Sequence, residues 1–124
     1  MLHLLSALVL VFQIHAGANQ ISGEVALVSG DISKPGGILF VIAKEAGKPM
    51  PVAVLRVPQP KFPLKFTLSA ANAMVAGTPF NGPFLITARY SPTGDAMDKS
   101  GPEGSEAKPV AVGRTDVKIS LKAK

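Results

Sequence analysis

Short apolar runs interrupted by glycine and proline make up the chain after residue 20. Eleven of the 12 glycines and all 11 prolines occur in this region, most of them between these runs, and no apolar stripe with a helical period extends over a useful length. At 64–68, leucine and phenylalanine alternate with lysine and threonine, the pattern of a strand with one buried face. The run 38–43 is apolar at every position, which predicts a central strand buried on both faces. The chain is therefore predicted to be all-β.

The same pattern predicts where the strands lie and how they are arranged. Strands are predicted at 21–28, 38–43, 50–57, 64–68, 84–90, 110–112 and 117–121. Ser69 is predicted to cap a single helical turn at 70–74, and 91–108 is predicted to be one long polar loop. About seven short strands with regular turns predict a single antiparallel β-sandwich, with an immunoglobulin-like or transthyretin-like arrangement.

The first 18 residues carry an apolar run that predicts export. Ala16-Gly17-Ala18 follows this run and supplies the small residues that a signal peptidase accepts, so cleavage is predicted before Asn19. The run is shorter than the ~20 apolar residues that cross a bilayer, although an uncleaved N-terminal anchor is the alternative. Residues 1–18 are thus predicted to be a signal peptide. Residues 19–124 are predicted to be one periplasmic or secreted domain, with no membrane span after cleavage.

The ionisable residues exclude several functions. The net charge is +5, but the basic residues are scattered singly, whereas a nucleic-acid surface is clustered and interleaved with aromatic residues. No nucleic-acid partner is therefore predicted. Both histidines, His3 and His15, lie in the predicted signal peptide, and the chain has no cysteine. Because the usual general base, reactive thiol and most metal or haem ligands are missing from 19–124, we predict no enzyme, no metal and no cofactor.

Three methionines offer a different ligand chemistry. Thioether sulfur suits Cu(I), so a copper site is one interpretation of Met50, Met74 and Met97. They are far apart in the sequence, however, whereas copper-binding methionines usually cluster. We therefore favour a structural role, in which Met74 fills a gap in the core while Met50 and Met97 line a pocket or support a loop.

Two arginines lie on predicted apolar strands and need anionic partners or carbonyls if they are partly buried. In one interpretation Arg56 and Arg89 each form a structural ion pair, for which Glu24, Asp95 and Glu103 are the candidate carboxylates. In the other interpretation the two arginines bind an acidic group of a partner, such as a peptide C-terminus or a haem propionate.

Strand alternation makes a more specific prediction for Arg89. It places Arg89 on the face opposite to Ile86 and Ala88. If the 91–108 loop covers that face, Arg89 holds the loop through its carbonyl groups or through Asp95. The substitution Arg89→Ala is then predicted to cost about 2–4 kcal/mol of folding free energy.

The turn Gly47-Lys48-Pro49-Met50-Pro51 joins two predicted strands and exposes a rigid tip. Proline restricts the backbone, so a contact made here would lose little entropy on binding. The alternative is a well-specified hairpin turn with no further role. The candidate partner-binding residues are Lys48, Pro49, Met50, Arg56, Arg89 and Met97.

Several of these segments occur in an order typical of one family. They are the strand Leu39-Phe40-Val41-Ile42-Ala43, the turn at 47–51, the segment Ala88-Arg89-Tyr90-Ser91-Pro92-Thr93-Gly94-Asp95-Ala96-Met97, the pair Val112-Gly113, and Ile119-Ser120-Leu121. From Gln20 onwards the chain resembles the C-terminal periplasmic domain of the cytochrome c biogenesis factor of the CcmI/CycH type. It departs from that pattern at Ala70 and Ala71, where the family tends to have acidic residues. The loop Gly101-Pro102-Glu103-Gly104 is a shortened form of the family's acidic loop.

The resemblance implies an exported, non-enzymatic accessory or chaperone-like module of cytochrome c maturation. Such a module acts through contacts with cytochrome c maturation proteins or apocytochrome. The tetratricopeptide repeats that capture apocytochrome in the family do not occur in this chain, so their role is not implied here. We expect a monomer. The alternative is an unrelated periplasmic binding module, for a metal or a peptide, built on the same β-sandwich.

Overall fold

Strands form along most of the apolar runs in residues 19–124, the part of the chain that the computed structural model describes. The signal peptide predicted at 1–18 lies outside these residues. The strands are β1 (Gln20–Leu27), β2 (Ile38–Lys44), β3 (Pro51–Pro58), β4 (Leu64–Ser69), β5 (Leu85–Ser91), β6 (Glu103–Ser105) and β7 (Val117–Leu121), with one short 3-10 helix at Ala70–Asn72.

The strands form two sheets, so the predicted all-β sandwich is confirmed. In the three-stranded sheet, β1 lies between β4 and β7. In the four-stranded sheet the order is β3-β2-β5-β6, and every neighbouring pair is antiparallel. The continuously apolar β2 is therefore a central strand, as predicted. Strands β1 and β7 run parallel, so the sandwich is mostly rather than wholly antiparallel.

The core lies between the two sheets and follows the two-residue period of extended strands. In β2, the side chains of Leu39, Val41 and Ala43 are fully buried. In β4, Phe66 and Leu68 are buried while the lysine and threonine beside them are exposed. The alternation predicted at 64–68 is thereby confirmed.

A buried tyrosine fixes the loop between β1 and β2. Tyr90 of β5 is fully buried, and its hydroxyl donates a hydrogen bond to the carbonyl oxygen of Ile32 at 3.1 Å. Gly37 packs so closely on this ring that a Cβ atom there would overlap the Tyr90 hydroxyl. Burial raises the pKa of Tyr90 because low polarity disfavours the phenolate, and the charge of Asp31 adds to this effect.

Two predictions about the C-terminal part of the chain are wrong. The run 110–112 is not a strand: Val110 forms only an isolated bridge with Phe84, and the chain turns away at Gly113, where φ is 102°. Conversely, the predicted loop at 91–108 contains β6, which pairs with β5. Because β6 is short and polar, it has no apolar alternation by which the sequence could reveal it.

Ser69 caps a short helical turn, as predicted, but the turn is shorter than expected. Its hydroxyl accepts a hydrogen bond from the backbone nitrogen of Ala71 at 3.2 Å, while its own backbone nitrogen donates to Asn72 Oδ1 at 3.0 Å. Beyond the turn, the backbone nitrogen of Met74 donates to the carbonyl oxygen of Val52 at 2.9 Å. The capped turn therefore returns the chain to the edge of β3.

Candidate functional site

A row of arginine, phenylalanine and arginine crosses the outer face of the four-stranded sheet. Register pairs Phe40 of β2 with Arg56 of β3 on one side and with Arg89 of β5 on the other. Directly paired residues point to the same face, and adjacent strands are ~4.8 Å apart, so the backbones of the two arginines are separated by about 10 Å. In the row two residues further along β2, Ile42 pairs with Val54 of β3 and with Thr87 of β5. One row is thus positively charged at both ends, and the next is apolar at its β3 and β2 positions.

Two neighbouring segments turn this face into a groove, which we call the outer groove. Residues 71–74, which follow the Ser69 cap, line it on the β3 side, and residues from 94–97, in the loop after β5, also line it. The outer groove has a volume of about 690 Å³. Its lining residues are Phe40, Ile42, Pro51, Val54, Arg56, Ala71, Asn72, Ala73, Met74, Arg89, Gly94, Ala96 and Met97.

Side-chain hydrogen bonds hold the 94–97 segment in a defined shape. Ser91 Oγ donates to the carbonyl oxygen of Asp95 at 2.7 Å. Asp95 Oδ1 in turn accepts a hydrogen bond from the backbone nitrogen of Met97 at 2.9 Å. The carboxylate of Asp95 is therefore used within the loop and is not directed at an arginine.

A second carboxylate closes the same loop. Asp98 Oδ1 accepts hydrogen bonds from the hydroxyl of Ser100 at 2.7 Å and from its backbone nitrogen at 3.1 Å. Asp98 Oδ2 accepts one from the hydroxyl of Thr93 at 2.9 Å. These bonds favour the ionised form and hold the pKa of Asp98 below its ordinary value, with the Ser100 bonds contributing most.

Arg89 links the sheet to the 94–97 segment. Its Nη2 donates a hydrogen bond to the carbonyl oxygen of Ala96 at 2.9 Å, which confirms the predicted contact with a loop carbonyl. Its Nε is buried and has no hydrogen-bond acceptor among the described residues. The guanidinium is thus held in place while its charge is only partly compensated.

The predicted structural ion pairs of Arg56 and Arg89 are wrong, since neither arginine forms an ion pair within residues 19–124. Glu103 faces Arg89 in the register of β5 and β6, but its carboxylate pairs with Lys124 Nζ at 3.3 Å. Glu24 lies on the other sheet. Sequence spacing could not show that these carboxylates are used elsewhere or lie on a different face.

Arg56 is exposed and lies over an aromatic ring. Its guanidinium carbon is 6.0 Å from the centroid of the Phe40 ring, at the outer limit of a cation–π contact. The ring itself is only 4% exposed. Arg56 therefore offers a charged group to solvent above an apolar floor.

The methionines divide differently from the prediction. Met74 is 57% exposed and lines the outer groove, so the prediction that it fills a gap in the core is wrong. Its neighbour Ala73 forms an isolated β-bridge with Ala53, and this bridge keeps the segment at the edge of the sheet. Met97 is 77% exposed and lines the same groove, which confirms its predicted place at a pocket. Met50 is exposed on the turn and is not a lining residue. Two thioethers thus border one cavity.

The turn between β2 and β3 lies beside the outer groove. Lys48, Pro49 and Met50 are exposed, and Lys48 Nζ is 3.7 Å from Glu45 Oε2. Only Pro51, at the start of β3, is a lining residue. Of the six candidate residues, the structure thus brings Arg56, Arg89 and Met97 together and leaves the three turn residues outside.

The floor of the outer groove was not identified from the sequence. Phe40, Ile42 and Val54 occupy the outward positions of their strands, where a solvated sheet would carry polar residues. Apolar residues on both faces of β2 and β3 were the available signal. For β2 they predicted burial on both faces, but not that a groove covers the outer one.

Within 19–124, no group of three or more histidine, cysteine, aspartate or glutamate side chains is arranged to hold a metal ion. No helix in that part of the chain is long and apolar enough to cross a membrane.

Two sheets packed around one core define an immunoglobulin-like β-sandwich, with the outer groove on the face of its larger sheet. The chain belongs to the family of the cytochrome c-type biogenesis protein H Ig-like domain, whose model matches residues 21–122, and the predicted resemblance is confirmed. Among solved structures, an alternative pilotin from the type II secretion system of Vibrio cholerae is similar, with a TM-score of 0.53 and 16% identity over 85% of this chain and 96% of that chain. At this identity the likeness shows the fold alone. No curated protein sequence matches the chain.

Proposed function

We propose that this chain is a non-enzymatic, chaperone-like accessory module of cytochrome c maturation. It acts in the periplasm through protein–protein contacts with maturation proteins or apocytochrome. The family of its Ig-like domain supports the process. The observation that carries the contact role is the outer groove, an apolar cleft bordered by exposed methionines on a sheet face that a solvated sandwich would make polar. The family membership supports this role over that of an unrelated binding module.

The composition of the groove suits a protein partner. Phe40 and Ile42 provide an apolar floor, and Met74 and Met97 provide flexible, polarisable side chains that adapt to the shape of a partner. Since both methionines are more than half exposed, they add little to folding and are available for contact. A region with a buried apolar centre and a polar rim is typical of protein interfaces.

The residues of 19–124 also argue for a role without catalysis. This region has neither histidine nor cysteine, so it cannot reduce or exchange the thiols to which haem becomes attached. Any such chemistry belongs to its partners. The periplasmic location rests on the signal peptide predicted at 1–18 and on the family's process.

The proposed function can be tested by placing charge in the outer groove. The double variant Met74→Glu/Met97→Glu introduces two carboxylates at exposed positions, which should leave the fold intact. In cells of the source organism whose own copy is deleted, we expect it to restore only a small part of the c-type cytochromes. These are measured by staining covalent haem on gels and normalised to the amount of the variant protein.

The matched control is Val75→Glu/Val28→Glu. Val75 and Val28 are 68% and 60% exposed, close to the values of the two methionines, and neither lines the outer groove. The control should restore cytochromes as the wild type does. Full restoration by the groove variant, or equal failure of both variants at normal protein levels, would contradict the proposal.

A further inference from the structure

We infer that the outer groove takes an apolar chain segment that carries a carboxylate, and that Arg56 binds the carboxylate while Phe40 and Ile42 contact the apolar groups. This inference rests on the proposed function and specifies the chemistry of the partner. Within residues 19–124, Arg56 and Arg89 form no ion pair, and their positive charges lie beside the apolar floor of the groove.

Charge complementarity selects an anionic group. The lining residues include two guanidinium groups and no carboxylate. Arg89 is offset only by the carbonyl of Ala96, and the nearest carboxylate in register, that of Glu103, is paired with Lys124. An anion beside Arg56 would be attracted by both arginines, whose backbones are about 10 Å apart, a distance comparable with the Debye length of about 10 Å at 0.1 M ionic strength.

The two arginines have different roles in this arrangement. Nη2 of Arg89 is already bonded to Ala96, and Nε of Arg89 is closed off from solvent, so Arg89 acts mainly through its charge. Arg56 is exposed and makes no ion pair within the described residues. Its guanidinium lies over the Phe40 ring, which restricts it before a ligand arrives. A planar guanidinium can donate hydrogen bonds to both oxygens of a carboxylate at once, which an ammonium group cannot do in the same geometry.

The size of the groove limits the occupant to a few residues of a chain. A volume of about 690 Å³ is in the range of pockets that enclose small ligands, about 300–1,000 Å³. The buried ring of Phe40 and the half-buried side chain of Ile42 favour aliphatic or aromatic groups next to the carboxylate. That carboxylate can be an aspartate or glutamate side chain or the end of a chain, and the test below separates these sources.

The test is an NMR titration of the protein with four N-acetylated tripeptides. The protein is purified in the form that the producing cell accumulates. The peptides are Leu-Phe-Leu with a free C-terminal carboxylate, its C-terminal amide, Leu-Glu-Leu amide and Leu-Gln-Leu amide. We expect saturable amide shifts at Phe40, Ile42 and Arg56 in the millimolar range for a carboxylate-bearing peptide. Its neutral counterpart should bind about tenfold more weakly. If only Leu-Phe-Leu with a free carboxylate binds more tightly than its amide, the ligand is a chain terminus. If only Leu-Glu-Leu amide binds more tightly than Leu-Gln-Leu amide, the ligand is an acidic side chain.

Variants then assign the carboxylate to Arg56. Arg56→Gln should weaken the preferred peptide about tenfold and abolish its advantage over the neutral peptide, the outcome of a direct contact in a double-mutant cycle. Arg56→Lys should restore only part of the affinity. Lys118→Gln removes the same charge from an exposed strand position on the other sheet and should change the affinity less than about twofold.

Several results would overturn the inference. They are equal binding of acid and neutral peptides, shifts that lie outside the outer groove, or no saturable shift with any peptide at millimolar concentration. Binding of protoporphyrin IX to the outer groove, without peptide binding there, would show that the groove is a porphyrin site instead. If the peptides bind as expected while the cytochrome assay shows no groove effect, the proposed function fails and the site chemistry stands; the converse result rejects only the chemistry.

Discussion

The substitution Arg89→Ala removes the side chain that ties the 94–97 segment to the sheet. The hydrogen bond from charged Nη2 to Ala96 contributes about 1.5–3 kcal/mol by itself. The same substitution also removes the buried Nε, whose missing acceptor costs about 1–3 kcal/mol in the wild type. The two effects largely cancel, so we expect a net loss of about 1 kcal/mol, part of it from the aliphatic stem. This is below the 2–4 kcal/mol predicted from the sequence for an Arg89 that holds the loop through its carbonyl groups or Asp95, because that prediction did not include the cost of the unpaired Nε.

Urea unfolding followed by far-ultraviolet circular dichroism measures this free energy, and an unchanged m-value would show that only stability has altered. Hydrogen exchange of the Met97 amide, which is bonded to Asp95, reports whether the segment loosens. Arg89→Met keeps the stem and removes the guanidinium, so it should lie within about 0.5 kcal/mol of the wild type. Arg56→Ala, which removes an exposed guanidinium, is the control and should also be nearly neutral.

A loss of 3 kcal/mol or more in Arg89→Ala would refute this reasoning, because it would mean that Nε has a partner and that the guanidinium is fully compensated. Unchanged stability together with unchanged exchange of the Met97 amide would also refute the reasoning, because Arg89 would then not tie the segment to the sheet. The segment would then be held without Arg89.

Three further substitutions test other parts of the structure, the first two by the same unfolding measurement and the third by hydrogen exchange. Gly37→Ala places a methyl group against the Tyr90 hydroxyl and should cost about 1–3 kcal/mol; a neutral result would mean that the loop moves freely. Tyr90→Phe leaves the Ile32 carbonyl without its donor and should cost about 1 kcal/mol at neutral pH. The raised pKa means that the fold favours the neutral phenol, so wild-type stability should decline as pH rises above about 10, and the phenylalanine variant should lack this decline. Since the bonds from Ser100 lower the pKa of Asp98, the protection factor of the Ser100 amide, corrected for intrinsic exchange, should fall as pH falls through the acid range, whereas Asp98→Asn should remove this pH dependence.

Local patterns determined most of the strands. Alternation between Leu64 and Leu68 and the continuous apolar run of β2 act through side-chain direction and burial, which neighbouring residues alone specify. The cap at Ser69 is likewise local, because its hydroxyl bonds the backbone two residues away. The wrong strand predictions concern segments whose structure depends on pairing with a distant strand and not on a local sequence pattern. Strand β6 is too polar and short to be recognised, and Val110 finds only one partner, in Phe84.

The outer groove was only partly determined by the sequence. Alternation predicted that Arg89 faces away from the core, and composition showed that the 19–124 region has no imidazole or thiol. The meeting of Arg56 with Arg89 across Phe40 required the pairing of β2 with strands from distant parts of the chain. The partners of the carboxylates were also decided in three dimensions, since Glu103 turns to Lys124. A two-residue period fixes the face on which a side chain lies, but only the order of strands in the sheet fixes its neighbours.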